Sequence, residues 1–127
     1  MTRILLVEDD APVRAVTREM LEGAGYCVAE AADAATALAR VDERLMFEVL
    51  LIDVLLPDLS GLELARRIRA RPDTSSVKIL FTSGYPIDGA EVEAGDAFLP
   101  KPYGTTELLL ALVKLSRRRG LPAGGST

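Results

Sequence analysis

The chain contains no histidine, no tryptophan and a single cysteine, and only 5% of its residues are aromatic. Without histidine there is no Ser–His or Cys–His nucleophile pair, no imidazole metal ligand and no phosphohistidine. Any phosphoryl group handled here must therefore arrive from another molecule. One cysteine, Cys27, cannot form an internal disulfide and leaves a cysteine metal site without ligands. A small buried apolar residue is its expected role. No apolar run approaches the ~20 residues that span a membrane, and the first residues carry no charged-then-apolar secretory pattern. A cytoplasmic protein with no membrane contact is expected. The stretch VEDDAPV has no glycine-rich phosphate loop, which argues against nucleotide binding.

At 127 residues the chain is the size of one domain, large enough to bury roughly two-thirds of its unfolded surface. Its net charge of -4 and pI near 4.9 argue against a nucleic-acid-binding surface, so no nucleic-acid partner is expected. The apolar punctuation alternates. Arg3 to Val7 is a short aliphatic run suited to a buried parallel strand. Val13, Val16, Met20 and Leu21 recur at helical spacing, with Gly23 and Gly25 to stop that helix. Cys27 to Ala31 reads as a strand, Ala34 to Leu45 as a helix, and Val49 to Ile52 as a third strand. Leu62, Ala65 and Ile68 mark a helix closed at Arg71-Pro72. Val77 to Phe81 and Ala97 to Leu99 read as strands four and five. A last helix is expected from about Thr105 to Arg118.

This alternation predicts parallel β-α-β units with right-handed crossovers, hence an α/β, doubly wound, five-stranded parallel sheet. The segment YPIDGAEVEAGD breaks the rhythm and predicts a short or irregular fourth helix. Residues 1–119 form the expected domain, and 120–127 a flexible tail or linker.

In open parallel sheets, ligands bind beyond the carboxyl ends of the strands. Asp9 and Asp10 follow strand one, Asp53 follows strand three, Thr82 and Ser83 follow strand four, and Lys101 follows strand five. Taken singly, each has a plain explanation: Asp10 before Ala11-Pro12 suits a helix N-cap, Asp53 a turn, Lys101 a solvated charge. Together they crowd carboxylates onto one sheet edge. Two unit charges ~5 Å apart cost roughly 3 kcal/mol at an effective dielectric near 20. A hard divalent cation with oxygen ligands offsets that directly, and magnesium suits a site with neither histidine nor cysteine. A carboxylate there can attack phosphorus without a general base, with Lys101 and the Thr82 hydroxyl meeting the phosphoryl oxygens.

VEDD, LLIDVLLPDLSG, FTSG and LPKPY, in that order, resemble the receiver domain of two-component response regulators, over about residues 3 to 118. The resemblance implies a flavodoxin-like strand order 2-1-3-4-5 and a phosphate-accepting signalling domain rather than an enzyme, one that assists its own phosphorylation and dephosphorylation. It implies Asp53 as phosphoacceptor. Asp9, Asp10, Asp53 and the Leu55 carbonyl would serve at Mg2+, for which Mn2+ can substitute. Thr82 is implied as the switch hydroxyl, Lys101 as the family lysine and Phe98 as the mobile aromatic residue. The Lys101–Pro102 bond is often cis in such proteins. The implied donor is a histidine kinase or histidine phosphotransfer protein, with a homodimer or output partner on the face of strand five and the last helix. There Leu108, Leu112 and Leu115 form one stripe and Leu110 falls outside it.

The alternatives differ in class. The same domain can be a receiver segment of a hybrid sensor kinase, a pseudo-receiver that never takes phosphate, or a magnesium phosphohydrolase. The phosphohydrolase reading lacks the second aspartate two residues past the nucleophile, where Leu55 stands. Leu55 and Gly84, two residues beyond Asp53 and Thr82, cannot orient a water, so phosphate loss is expected to be slow. Glu8 remains open between the site and solvent.

Overall fold

The computed structural model describes residues 2–43, 46–85 and 97–124, with side chains described as far as Ser116. In chain order these residues form β1 (Arg3–Val7), α1 (Ala11–Gly23), β2 (Cys27–Ala31), α2 (Ala34–Asp42) and β3 (Val49–Asp53). After them come α3 (Gly61–Arg69), a 3-10 turn (Pro72–Thr74), β4 (Lys78–Ser83), β5 (Ala97–Pro100) and α4 (Thr105–Gly124). The strands make one sheet of order β2-β1-β3-β4-β5, and every neighbouring pair is parallel.

Both faces of this sheet are covered, which is why β1 and β3 are almost wholly aliphatic rather than alternating with polar residues. Leu5, Val7, Leu50, Ile52, Ile79 and Phe81 point to one face, where Ala34, Ala37 and Val41 of α2 and Leu64, Ala65 and Ile68 of α3 cover them. Ile4, Leu6, Leu51, Leu80 and Leu99 point to the other, under Leu21 of α1 and Leu108, Leu112 and Leu115 of α4. The period-2 alternation of the strands thus sorts the apolar residues into two cores.

The helices start where their capping residues dictate. Val13 N–H donates to Asp10 Oδ1 at 3.1 Å, Thr36 N–H to Asp33 Oδ1 at 2.7 Å and Leu62 N–H to Ser60 Oγ at 3.1 Å. Gly25, at φ 96°, supplies the left-handed turn between α1 and β2.

Several boundaries move from the sequence expectation. α2 ends at Asp42 rather than Leu45, because Glu43 N–H closes it on the carbonyls of Ala39, Arg40 and Val41. β3 and β4 extend through Asp53 and through Thr82–Ser83. α4 runs to Gly124, past the Arg118 end that the apolar pattern marks, so the tail expected from Gly120 is helical that far. Cys27 is exposed, against the expectation of burial, since it opens the edge strand β2. The expected fourth helix falls on residues 86–96, outside the described residues.

Candidate functional site

The sheet register sets the site. Asp53 pairs with Thr82 and Thr82 with Leu99, so the carboxyl ends of β3, β4 and β5 finish level with one another. The loops beyond them are laced to β4: Val54 N–H donates to Thr82 O and Lys101 N–H to Ser83 O, each at 2.9 Å. At the far side of the site, Glu8 N–H donates to Ala31 O at 3.0 Å, carrying the β1 ladder one residue past Val7.

Lys101 is the hub. Its Nζ lies 2.7 Å from Asp53 Oδ2 and 2.6 Å from Glu8 Oε1. The second oxygen of each acid takes a backbone donor: Asp53 Oδ1 accepts from Leu55 N–H at 3.0 Å, and Glu8 Oε2 from Asp10 N–H at 3.1 Å. Asp53 is 5% exposed, and Glu8 and Thr82 are 2% exposed. The Lys101–Pro102 peptide bond is cis, and Tyr103, the next residue, shares a 2.8 Å hydrogen bond between its hydroxyl and that of buried Thr17.

These contacts fix the charge. Burial pushes the Glu8 carboxyl up to about 7, against the opposing hydrogen bonds from Lys101 and Asp10 N–H, with the Asp53 charge adding to the rise. Burial pulls Lys101 down, but its hydrogen bonds to Asp53 and Glu8 outweigh it and leave the ammonium above its ordinary value. Glu8, Asp9 and Asp53 each bring a carboxylate oxygen within 4.8 Å of the others. Three carboxylates against one ammonium leave the cluster short of positive charge. An all-oxygen donor set with no nitrogen or sulfur fits a hard divalent cation such as magnesium.

The expected residues fall as follows. Asp53, Thr82 and Lys101 meet at the sheet edge, with Asp9 exposed beside them. Asp10 stands outside the carboxylate cluster: it is the N-cap of α1, and Glu8 occupies the place expected for it. The physical reason is the ladder bond at Glu8, which keeps residue 8 in the sheet and puts residue 10 at the helix start. Leu55 is exposed and contributes its N–H to Asp53. Phe98 is half-buried and packs against the α2–α3 core. It also borders a cavity of about 360 Å³ that Leu110 and Lys114 of α4 help to line.

Sequence reasoning missed three supports. Gly61 donates its N–H to Val54 O at 2.8 Å, and a Cβ on it would lie 2.2 Å from Asp53 O. Arg14 donates from Nη1 to Glu8 O at 2.8 Å and from Nε to Glu30 at 3.2 Å. Asp58 accepts from Ala34 N–H and Ala35 N–H, each at 3.0 Å. Their one signal in the sequence was position: each lies within a few residues of a strand end or helix start.

The model of the response regulator receiver domain matches residues 4–113. The chain belongs to the response regulator receiver family. This receiver is 36% identical over 122 residues to the phosphate regulon transcriptional regulatory protein PhoB of Pseudomonas aeruginosa, covering 92% of this chain and 52% of PhoB. The chain thus spans about half the length of the curated relatives it matches. Among solved structures, the receiver superposes on the receiver domain of the hybrid histidine kinase CckA with a TM-score of 0.77 at 35% identity, covering 89% of this chain and 97% of that one. It superposes on the response regulator TrrA of Thermotoga maritima, solved with Mg(2+)-BeF, with a TM-score of 0.80 at 27% identity, covering 91% and 99%. PhoB is a transcriptional regulator by name, so the expectation of no nucleic-acid partner finds no support among the relatives. Among the described residues, no helix of the receiver is long and apolar enough to cross a membrane.

Proposed function

We propose that the chain is a phosphate-accepting signalling receiver, with residues 1–119 as the working domain and Asp53 as the acceptor. The observation that carries this reading is the Lys101 ammonium held against buried Asp53 beside two further acids. An Asp53 oxygen, already ionised, forms the new O–P bond while the N–P bond of a phosphohistidine donor breaks. The departing imidazole keeps that electron pair and takes a proton from water. Lys101 and the Thr82 hydroxyl then meet the phosphoryl oxygens. Asp9, Asp53, Glu8 and the Leu55 carbonyl would hold Mg2+ or Mn2+, which supplies further charge neutralisation there.

The donor is a histidine kinase or a histidine phosphotransfer protein. Its docking surface is the apolar cavity of about 330 Å³ beside Lys101, lined by Pro12, Val13, Val16, Met20, Pro102 and Tyr103. Phosphorylation turns the singly charged Asp53 carboxylate into an acyl phosphate of up to two negative charges borne on three outer oxygens; Thr82 moves to meet them and Phe98 follows. The readout surface is β5 with the outer face of α4, where Leu110 and Val113 are exposed while Leu108, Leu112 and Leu115 are buried. A homodimer or an output partner fits there, in the cytoplasm.

The likeness to the CckA receiver favours one variant, in which the chain is the receiver segment of a hybrid kinase. The test is mass spectrometry after incubation with phosphoramidate and Mg2+. Wild type is expected to gain one phosphoryl group and Asp53→Asn none. Unmodified wild type would instead make the chain a pseudo-receiver.

A further inference from the structure

The loop between β3 and α3 carries both the backbone that holds Asp53 and an unusual tie to a different helix. At its base, Leu55 N–H donates to Asp53 Oδ1 at 3.0 Å and Gly61 N–H to Val54 O at 2.8 Å. Leu56 and Leu59 pack into the α2–α3 core. Between them, Asp58 reaches out of the loop to the start of α2. Its Oδ1 accepts from Ala34 N–H and its Oδ2 from Ala35 N–H, both at 3.0 Å.

These are the first two N–H groups of α2, which have no partner inside the helix. The helix's own cap, Asp33, satisfies a different donor, Thr36 N–H at 2.7 Å. Asp58 is therefore not needed to begin α2; what it adds is a bridge from that helix to the Asp53 loop. Both bonds are charge-assisted and sit at the positive end of the helix. The two N–H groups hold the Asp58 carboxyl below the usual carboxylate range.

The structure assigns to Asp58 a positioning role: it clamps the β3–α3 loop onto the N-terminus of α2 and so sets the Leu55 backbone in place for the metal at Asp53. This rests on the magnesium reading proposed above. Residues that orient a metal's direct ligands typically change affinity by roughly tenfold or more when lost, and a loop free to move off α2 would lose that orientation. The coupling is reciprocal: cation binding at Asp53 tightens the loop and protects the Ala34 and Ala35 amides.

The experiment is calorimetric Mg2+ titration with amide hydrogen exchange at Ala34 and Ala35, on wild type, Asp58→Ala, Asp58→Asn and Asp33→Ala. Urea unfolding establishes that each variant is folded. Asp58→Ala is expected to bind Mg2+ roughly tenfold more weakly. Asp58→Asn, which keeps one acceptor oxygen, falls between it and wild type, and Asp33→Ala stays near wild type. Mg2+ slows exchange at the two amides in wild type and not in Asp58→Ala. Wild-type affinity in Asp58→Ala overturns the assignment and leaves the receiver function standing. An equal loss in Asp33→Ala overturns it too, by tracing the effect to α2 itself. Wild type that binds no Mg2+ overturns both readings.

Discussion

Lys101 Nζ lies 2.7 Å from Asp53 Oδ2, so the ammonium reaches the acceptor carboxylate from a different strand end. Glu8 closes the same ammonium from the other side at 2.6 Å. The sheet order makes this possible: β1 and β4 flank β3, and β5 lies one strand beyond. Lys101 therefore crosses the end of β4, where Thr82 stands, to reach Asp53. One side chain spans the whole edge on which the polar groups converge.

Removing that ammonium should expose the cost of the acids it joins. Lys101→Ala leaves Glu8 and Asp53, both nearly buried, facing each other without a cation. Breaking such a pair typically costs about 3 kcal/mol. The loss is expected in full at pH 8 and reduced at pH 5, where Glu8 takes up a proton. Urea unfolding of both proteins in chelator at the two pH values checks this; a pH-independent loss counts against it.

Glu8 gives the metal-free protein a pH dependence of definite sign. Its folded-state value of about 7 lies above the ordinary 4.5, so between those values the folded state binds more protons than the unfolded one. Its contribution is fully present below pH 4.5, and it is lost as pH rises through about 7. Glu8→Gln cannot titrate, so its stability relative to wild type should rise over that window. Unfolding curves of the two proteins in chelator across the window measure the difference. Parallel profiles would refute the assignment.

Much of this was legible in the sequence because the apolar runs are short and clean. β1 and β3 are bounded by acids, so the ends of the strands, and with them Asp53, Thr82 and Lys101, could be read from hydrophobicity alone. The expectation of Asp10 rather than Glu8 beside Asp9 came from the same source, while its reading as a helix cap holds. Hydrophobicity marks the last apolar residue, Val7, but the ladder bond from Glu8 to Ala31 that keeps residue 8 in the sheet has no hydropathy signature. Cys27 was misplaced because an edge position depends on strand order, which local pattern does not encode. Asp58 and Gly61 act on backbone groups of elements that fold against them, so their roles exist only after the chain has closed.

Gly61 is expected to tolerate no side chain. A Cβ there would sit 2.2 Å from Asp53 O and 2.9 Å from Val54 Cα, and both neighbours are backbone. Overpacking of this kind costs about 3 kcal/mol, and relief requires backbone at Gly61, Val54 or Asp53 to shift, which disturbs the loop that holds the acceptor carboxylate. Gly61→Ala should lose stability and also phosphoryl uptake beyond what its unfolded fraction explains. Normal labelling in the folded population would sink the prediction.

The hydrogen bond between Tyr103 and Thr17 predicts a non-additive pair. Tyr103→Phe strips the partner from a hydroxyl on buried Thr17, which should cost about 1–2 kcal/mol. Thr17→Val combined with Tyr103→Phe leaves no polar group behind. The double variant should therefore be less destabilised than the sum of the single ones. A strictly additive cycle in thermal or urea unfolding would show that the bond contributes nothing.

The last prediction concerns how long a phosphoryl group stays on Asp53. Hydrolysis needs a water aligned with the phosphorus, and a neighbouring polar side chain is what holds such a water. The side chain best placed by sequence is Leu55, two residues on, and it is apolar and 53% exposed. Its backbone N–H is already committed to Asp53 Oδ1, so only the side chain is free to act. Two residues beyond Thr82, Gly84 offers no side chain at all. Phosphate loss should therefore be slow in wild type, and Leu55→Asn, which supplies an amide at the same point, should shorten the lifetime several-fold. Decay of the phosphorylated proteins, followed by intact mass in parallel, measures this. The rate of phosphoryl uptake should change little, because Asn at this position leaves the Asp53, Lys101 and Thr82 contacts in place. Equal lifetimes would mean that water reaches the phosphorus without help from residue 55.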